Sequence, residues 1–170
     1  MAKIVAGRYT AQTDQPFVVF LIGMRINKLR AVRKWLPTTM AMGPMLRELF
    51  AHPEKGLLGA RSYVGWREVM VVQYWRSFED LERFARSADD PHFHAWKRFN
   101  ARVGYSDSAV GIWQESFLVQ PGQYEVVYGN MPVFGLAAAT SHVPARGRLE
   151  TARRRLGGSN EPAVPTPAAS

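Results

Sequence analysis

Phe17-Val18-Val19-Phe20-Leu21-Ile22-Gly23-Met24 is an unbroken, β-rich apolar run. It is far too short to span a bilayer and reads as a strand. Such a strand is apolar on both sides, so both of its faces need cover. Outward from it, a helical region runs from Asn27 to Phe50, with breaks expected at Pro37 and at Gly43-Pro44. Met42, Met45, Leu46, Leu49 and Phe50 recur at helical spacing and form one apolar stripe. Leu57–Val64 and Val69–Trp75 read as a hairpin turning at Gly65-Trp66-Arg67-Glu68. Ser77, with Asp80 three residues on, opens a helix whose buried stripe is Phe78, Leu81, Phe84 and Ala85. Asp89-Asp90-Pro91 restarts a helix, and His92, Ala95, Trp96, Phe99 and Val103 share one face of it. Ala109–Val119 is a long strand, and Tyr124–Tyr128 is expected as its return strand.

The order is strand, helix, strand, strand, helix, strand. That is the βαββαβ arrangement of an α+β, ferredoxin-like fold, an antiparallel sheet with helices on one face. The other face of the Phe17–Met24 strand is also apolar. A second copy packed sheet to sheet would cover it, giving a homodimer in the form of a dimeric α/β barrel. The space between helices and sheet is then the natural small-molecule pocket.

Composition narrows the class. One domain over residues 1–156 is expected, followed by a disordered tail, 157–170, poor in large apolar residues. The chain has no cysteine, which excludes disulfides, thiolate metal sites and cysteine nucleophiles. No long apolar leader or membrane span is visible, so a cytoplasmic location is expected. The net charge of +8 is local. Arg25–Lys34 carries +5 and Arg146–Arg155 carries +4, leaving the remainder at −1. No nucleic-acid motif accompanies either stretch, so no nucleic-acid partner is expected. A Ser-His-Asp spacing, a phosphate-cradling glycine loop and a flavin or nicotinamide fingerprint are all missing.

Several segments resemble one known family: Phe20–Asn27, Lys34-Trp-Leu-Pro37, Met45–Leu49, Tyr74–Leu81, Gly111-Ile-Trp113, Tyr128–Pro132 and Phe134-Gly-Leu136. Together they resemble the DUF4188, or monooxygenase af470-like, family of the dimeric α/β-barrel superfamily, over roughly residues 5–156. The resemblance implies a small monooxygenase-like enzyme that oxidises an apolar aromatic or polyketide-like secondary metabolite. It also keeps two alternatives open: a haem-dependent lyase of the aldoxime dehydratase kind, and a non-catalytic small-molecule binding protein. The implied cofactor is accordingly none, or haem b. The sequence departs from the family at one place. Where the family usually continues His-Glu-Thr-Tyr after the Gly-Ile-Trp motif, this chain has Gln114-Glu115-Ser116-Phe117. An amide that only forms hydrogen bonds replaces a histidine that could ligate iron or move a proton.

Candidate site residues follow. His92 and His94 sit in the first turn after Pro91, where the helix dipole disfavours imidazolium. Haem-degrading relatives carry their axial histidine on this second helix, so either residue is the metal ligand if haem binds. Otherwise each is a proton-transfer group, or simply a helix-start histidine satisfied by backbone. Glu115 shares a strand face with Trp113 and Phe117, and Gln114 points the other way with Ile112 and Ser116. One of the two must face the pocket. Glu115 either is desolvated there, which raises its pKa and makes it a base, or pairs across the sheet with Arg61 or Arg25. Trp96, Trp113 and Phe99 are expected to line the pocket, and Arg25 to hold a substrate carboxylate or to form an ion pair.

Overall fold

The computed structural model describes residues 2–87, 97, 101 and 108–159. The chain forms two compact units, one from residues 17–118 and one from residues 1–16 with 119–170.

In the larger unit, β2 (Phe17–Ile26), α1 (Val32–Ala51), β3 (Leu57–Val64), β4 (Glu68–Trp75), α2 (Phe78–Arg86) and β5 (Val110–Val119) follow one another. The sheet order is β3-β4-β2-β5. This is the ferredoxin-like arrangement expected, with the hairpin partner β4 inserted beside β2. Strand β4 is antiparallel to both neighbours, with Phe20 opposite Gln73 and Ile22 opposite Val71. On the β5 side, Asn27 N–H donates to the Ala109 carbonyl at 3.0 Å, Gly111 lies beside Arg25, and the Trp113 ring lies beside Gly23. These contacts run in opposite directions along the two strands, so β5 is antiparallel to β2.

The apolar run resolves into two faces by simple alternation. Val18 and Phe20 join Met45, Leu49, Leu57, Trp75, Leu81 and Phe84 in the core beneath the helices. Met24 and Val110 form a smaller cluster with Trp35 and Val69. On the opposite face, Val19, Leu21, Met70, Val72 and Tyr74 are only half-buried, and Phe117 is exposed.

Helix α1 corrects one expectation. It runs unbroken through both Pro37 and Pro44. A proline in a helix removes one backbone donor, but here packing carries the helix across. Thr38 and Thr39 hydroxyls donate to the Lys34 and Trp35 carbonyls, each at 3.0 Å. The buried Met45 and Leu49 dock the helix on the sheet. Phe50, placed on that stripe from its spacing, is exposed.

Helix α2 opens as the sequence indicates, with Ser77 Oγ accepting from Asp80 N–H at 3.1 Å. Asp80 does not return the bond in a capping box. Its buried carboxylate accepts from Arg76 Nε at 2.7 Å and from Arg83 Nη1 at 2.6 Å. Gly56, at φ +94°, is the close neighbour that makes room, since a Cβ there would lie 2.5 Å from Asp80 Oδ2. Burial by itself raises the Asp80 pKa, but the two arginine hydrogen bonds outweigh it and hold the carboxyl below its ordinary value.

The smaller unit contains β1 (Arg8–Ala11), β6 (Tyr128–Gly129), α3 (Gly135–Ala139), β7 (His142–Pro144) and α4 (Ala152–Arg155). Its sheet order is β6-β1-β7, with both pairings antiparallel. The return strand expected over Tyr124–Tyr128 is thus reduced to a two-residue strand paired with β1. Residues before it are tied by side chains instead. Tyr124 hydroxyl accepts from Thr13 N–H at 2.7 Å, and Thr10 hydroxyl donates to the Val126 carbonyl at 2.7 Å. Two arginines of the basic stretch at 146–155 are spent inside this unit. The Arg155 side chain is almost fully buried, paired with Glu125, and donates to the Leu149 and Glu150 carbonyls. Arg154 donates to the Gly147 carbonyl at 2.8 Å.

Candidate functional site

Between α1, α2 and the helix-side face of the larger sheet lies a cavity of about 590 Å³. Strand alternation builds its floor. Val69, Val71, Gln73 and Trp75 come from β4, Phe20, Ile22 and Met24 from β2, and Ile112, Gln114 and Ser116 from β5. Met42, Met45 and Leu49 of α1 and Phe78, Leu81 and Phe84 of α2 supply apolar walls. Phe78 is substantially exposed although it lies on the helix stripe, because it borders this opening.

Polar groups are few. Thr38 and Thr39 donate back into their own helix. Glu82 is the one carboxylate among the described lining residues, and its Oε1 is 2.7 Å from Arg86 Nη2. The Gln114 and Ser116 side chains make no hydrogen bond with another described residue. Gln73 is buried, and its Oε1 accepts from Trp75 Nε1–H at 2.8 Å. A few convergent polar groups in a mostly apolar chamber is the ordinary make-up of a small-molecule site.

The structure separates the residues singled out from sequence. Gln114 lines the cavity. Glu115 does not. It lies on the opposite face of β5, because successive strand residues point to opposite sides, although both residues are exposed. Arg25 is neither its partner nor a cavity residue, since Arg25 Nη1 pairs across the sheet with Glu68 Oε1 at 2.6 Å. Trp113 touches the edge of the cavity, but its ring lies over Gly23 on the sheet face away from the helices, within 2.6 Å of where a Cβ on Gly23 would sit. Only a glycine lets the indole lie this close. His92, His94, Trp96 and Phe99 lie outside the described residues, as does the tail beyond residue 159. Sequence reasoning missed Gln73, Glu82 and the two threonines. Gln73 had a visible signal: it is the one polar residue in the alternating set Val69, Val71, Gln73, Trp75.

A family model for monooxygenase af470-like proteins matches residues 17–136. The chain belongs to the monooxygenase af470-like family. It is 26% identical over 160 residues to monooxygenase af470 of Aspergillus fumigatus, an alignment covering 76% of this chain and 53% of that one. The chain therefore spans about half the length of the curated relative it matches. Among solved structures, it is similar to an aldoxime dehydratase at a TM-score of 0.58 with 18% identity, over 82% of this chain and 43% of that one. At that identity the likeness shows the fold alone. SnoaB, a cofactor-independent oxygenase from Streptomyces nogalater, superposes at a TM-score of 0.43 with 8% identity, over 61% of this chain and 93% of that one. Among the described residues, no helix is long and apolar enough to cross a membrane, and no three His, Cys, Asp or Glu side chains group as a metal site.

Proposed function

We propose that this family member is a small monooxygenase-like enzyme that oxidises an apolar, aromatic or polyketide-like metabolite held between α1, α2 and the sheet. The observation that carries the reading is the cavity: about 590 Å³, walled by Phe, Met, Leu, Ile and Val side chains, with isolated amides on its floor. That volume suits a small polycyclic molecule.

The reaction is written without a cofactor. A base takes a proton from an activated methylene of the substrate, and the resulting carbanion reacts with molecular oxygen. One oxygen atom ends in a new carbonyl and the other leaves as water, with all four electrons supplied by the substrate. Among the described lining residues Glu82 is the carboxylate available as base; the sequence offers His92 or His94, outside the described residues, as the other choice. Gln114 and Gln73 offer hydrogen bonds to a developing oxyanion. Were haem bound instead, His92 or His94 would be its ligand, because the described lining holds no histidine, cysteine or tyrosine. Under the same reading the chain works as a homodimer through the apolar sheet face bearing Val19, Leu21, Val72 and Phe117. Val19→Asp and Leu21→Asp then yield monomers or aggregates in light scattering.

Oxygen uptake with anthrone, a ring ketone with an activated methylene, tests the activity. Uptake that depends on the protein is expected, falling roughly 10²-fold in Glu82→Gln or in the histidine variant that removes the base. Binding of anthrone without uptake would reduce the protein to a binding module. A Soret band in the visible spectrum of the purified protein would replace the cofactor-free reaction with a haem-dependent one.

A further inference from the structure

Gln73 is the most deeply placed polar side chain of the cavity floor. It projects from β4, an interior strand hydrogen-bonded on both edges, and is flanked by Phe20 on one side and Ala60 on the other. Only 4% of the residue is exposed.

The orientation of its amide follows from hydrogen-bond chemistry. An indole N–H can only donate, so the atom facing Trp75 Nε1 at 2.8 Å must be the carbonyl oxygen. Trp75 is itself fully buried in the core beneath α2, so the donor that fixes the amide is immobile. The Gln73 NH₂ group is thereby turned away from Trp75. It has no partner among the described residues, yet it is not sealed off from solvent, because Gln73 lines the cavity. The floor thus presents a fixed donor in an apolar chamber. Leaving such a donor unpaired beneath a bound ligand is costly, so the ligand that fits is one that brings an acceptor to it.

We infer that Gln73 is a specificity-determining residue, and that the molecule bound in this cavity carries a carbonyl-type oxygen on its apolar frame that accepts a hydrogen bond from Gln73 Nε2. The inference rests on the reading of the cavity as the substrate site and adds the substrate's chemical handle to it. Trp75 acts through Gln73 as a positioning residue. A hydrocarbon of the same shape fills the same space but strands the amide.

Calorimetric titration with two probes of equal shape tests this. In 2-acetylnaphthalene the group on the ring is C=O, and in 2-isopropenylnaphthalene it is C=CH₂. The quantity to follow is the ratio of their affinities, which cancels general hydrophobic binding. From the wild type to Gln73→Met, which keeps the length and loses the donor, the ratio favouring the ketone should fall about threefold to tenfold, the scale of one hydrogen bond. Trp75→Phe, which frees the amide to rotate, should lower the ratio by a smaller factor. In the unmutated protein, the ketone should shift the Gln73 side-chain amide resonances more than the alkene does, a measurement that needs no variant to fold. Binding of both probes with the same ratio in wild type and Gln73→Met, and equal amide shifts, would overturn the role of Gln73 and leave the cavity reading standing. Binding of neither probe to the folded wild type would overturn the cavity reading and this inference with it.

Discussion

The larger unit holds two polar clusters that sit a short way apart in sequence and differ in kind. At Asp80 every strong group is committed. The carboxylate takes bonds from Arg76 and Arg83, Ser77 caps the helix, Arg76 reaches on to the Glu54 carbonyl, and Gly56 leaves the space for it all. In the cavity one buried polar group, the Gln73 amide, is held in place but not used up. Gln73 is fixed by Trp75 with its NH₂ unspent, and Gln114 and Ser116 have no described partner. Buried polar groups that satisfy one another specify structure, whereas oriented groups left unsatisfied facing a cavity are kept for a ligand.

The largest expected effect breaks the committed cluster. Asp80→Ala removes two charge-assisted hydrogen bonds at a buried carboxylate, while both arginine heads remain in solvent. Urea denaturation should show a loss of about 2 kcal/mol. A change within experimental error would mean the arginines hydrate without cost and the cluster is ornamental.

A smaller effect comes from pH. The folded-state pKa of Asp80 is depressed, so its contribution is present above the unfolded value of about 3.9 and is lost as pH falls through the folded value. The stability gap between wild type and Asp80→Asn should therefore be steady near neutrality and shrink on acidification below about pH 4. A gap that stays constant to low pH would assign the difference to packing and not to charge.

The smallest effect sharpens the other side of the comparison. Gln114→Met removes an amide that no described residue uses, and should leave stability within about 0.5 kcal/mol of the wild type. A larger loss would show that Gln114 is structural after all, and the division between the two clusters would fail there.

Much of this was legible from residue order. The two-sided apolar run at Phe17–Met24, the hairpin at Gly65–Glu68 and the Ser77 cap each rest on local chemistry, and each is found. Pro37 misled because its helix-breaking cost is local while the docking of Met45 and Leu49 that offsets it is tertiary. The site was less legible than the fold. Alternation along β5 divided Gln114 from Glu115 but left open which side was the chamber. That depended on where α1 and α2 settle.

By itself, the sequence determined the strands and helices of the larger unit from Phe17 to Arg86, the alternation that gives each strand two faces, and the exclusion of cysteine chemistry. These follow from nearest-neighbour sterics and from composition, which need no knowledge of the rest of the chain. Only the tertiary structure decided that Gln114 and not Glu115 borders the cavity, that Arg25 is spent on Glu68, and that Trp75 turns the Gln73 amide toward the chamber. The first two depend on which face of the sheet the helices cover and on the register between strands, and the third on the burial of Trp75, which fixes its indole against a residue two places away on the same strand. Register is set by hydrogen bonds and packing among residues far apart in the chain, so it cannot be read from any one segment.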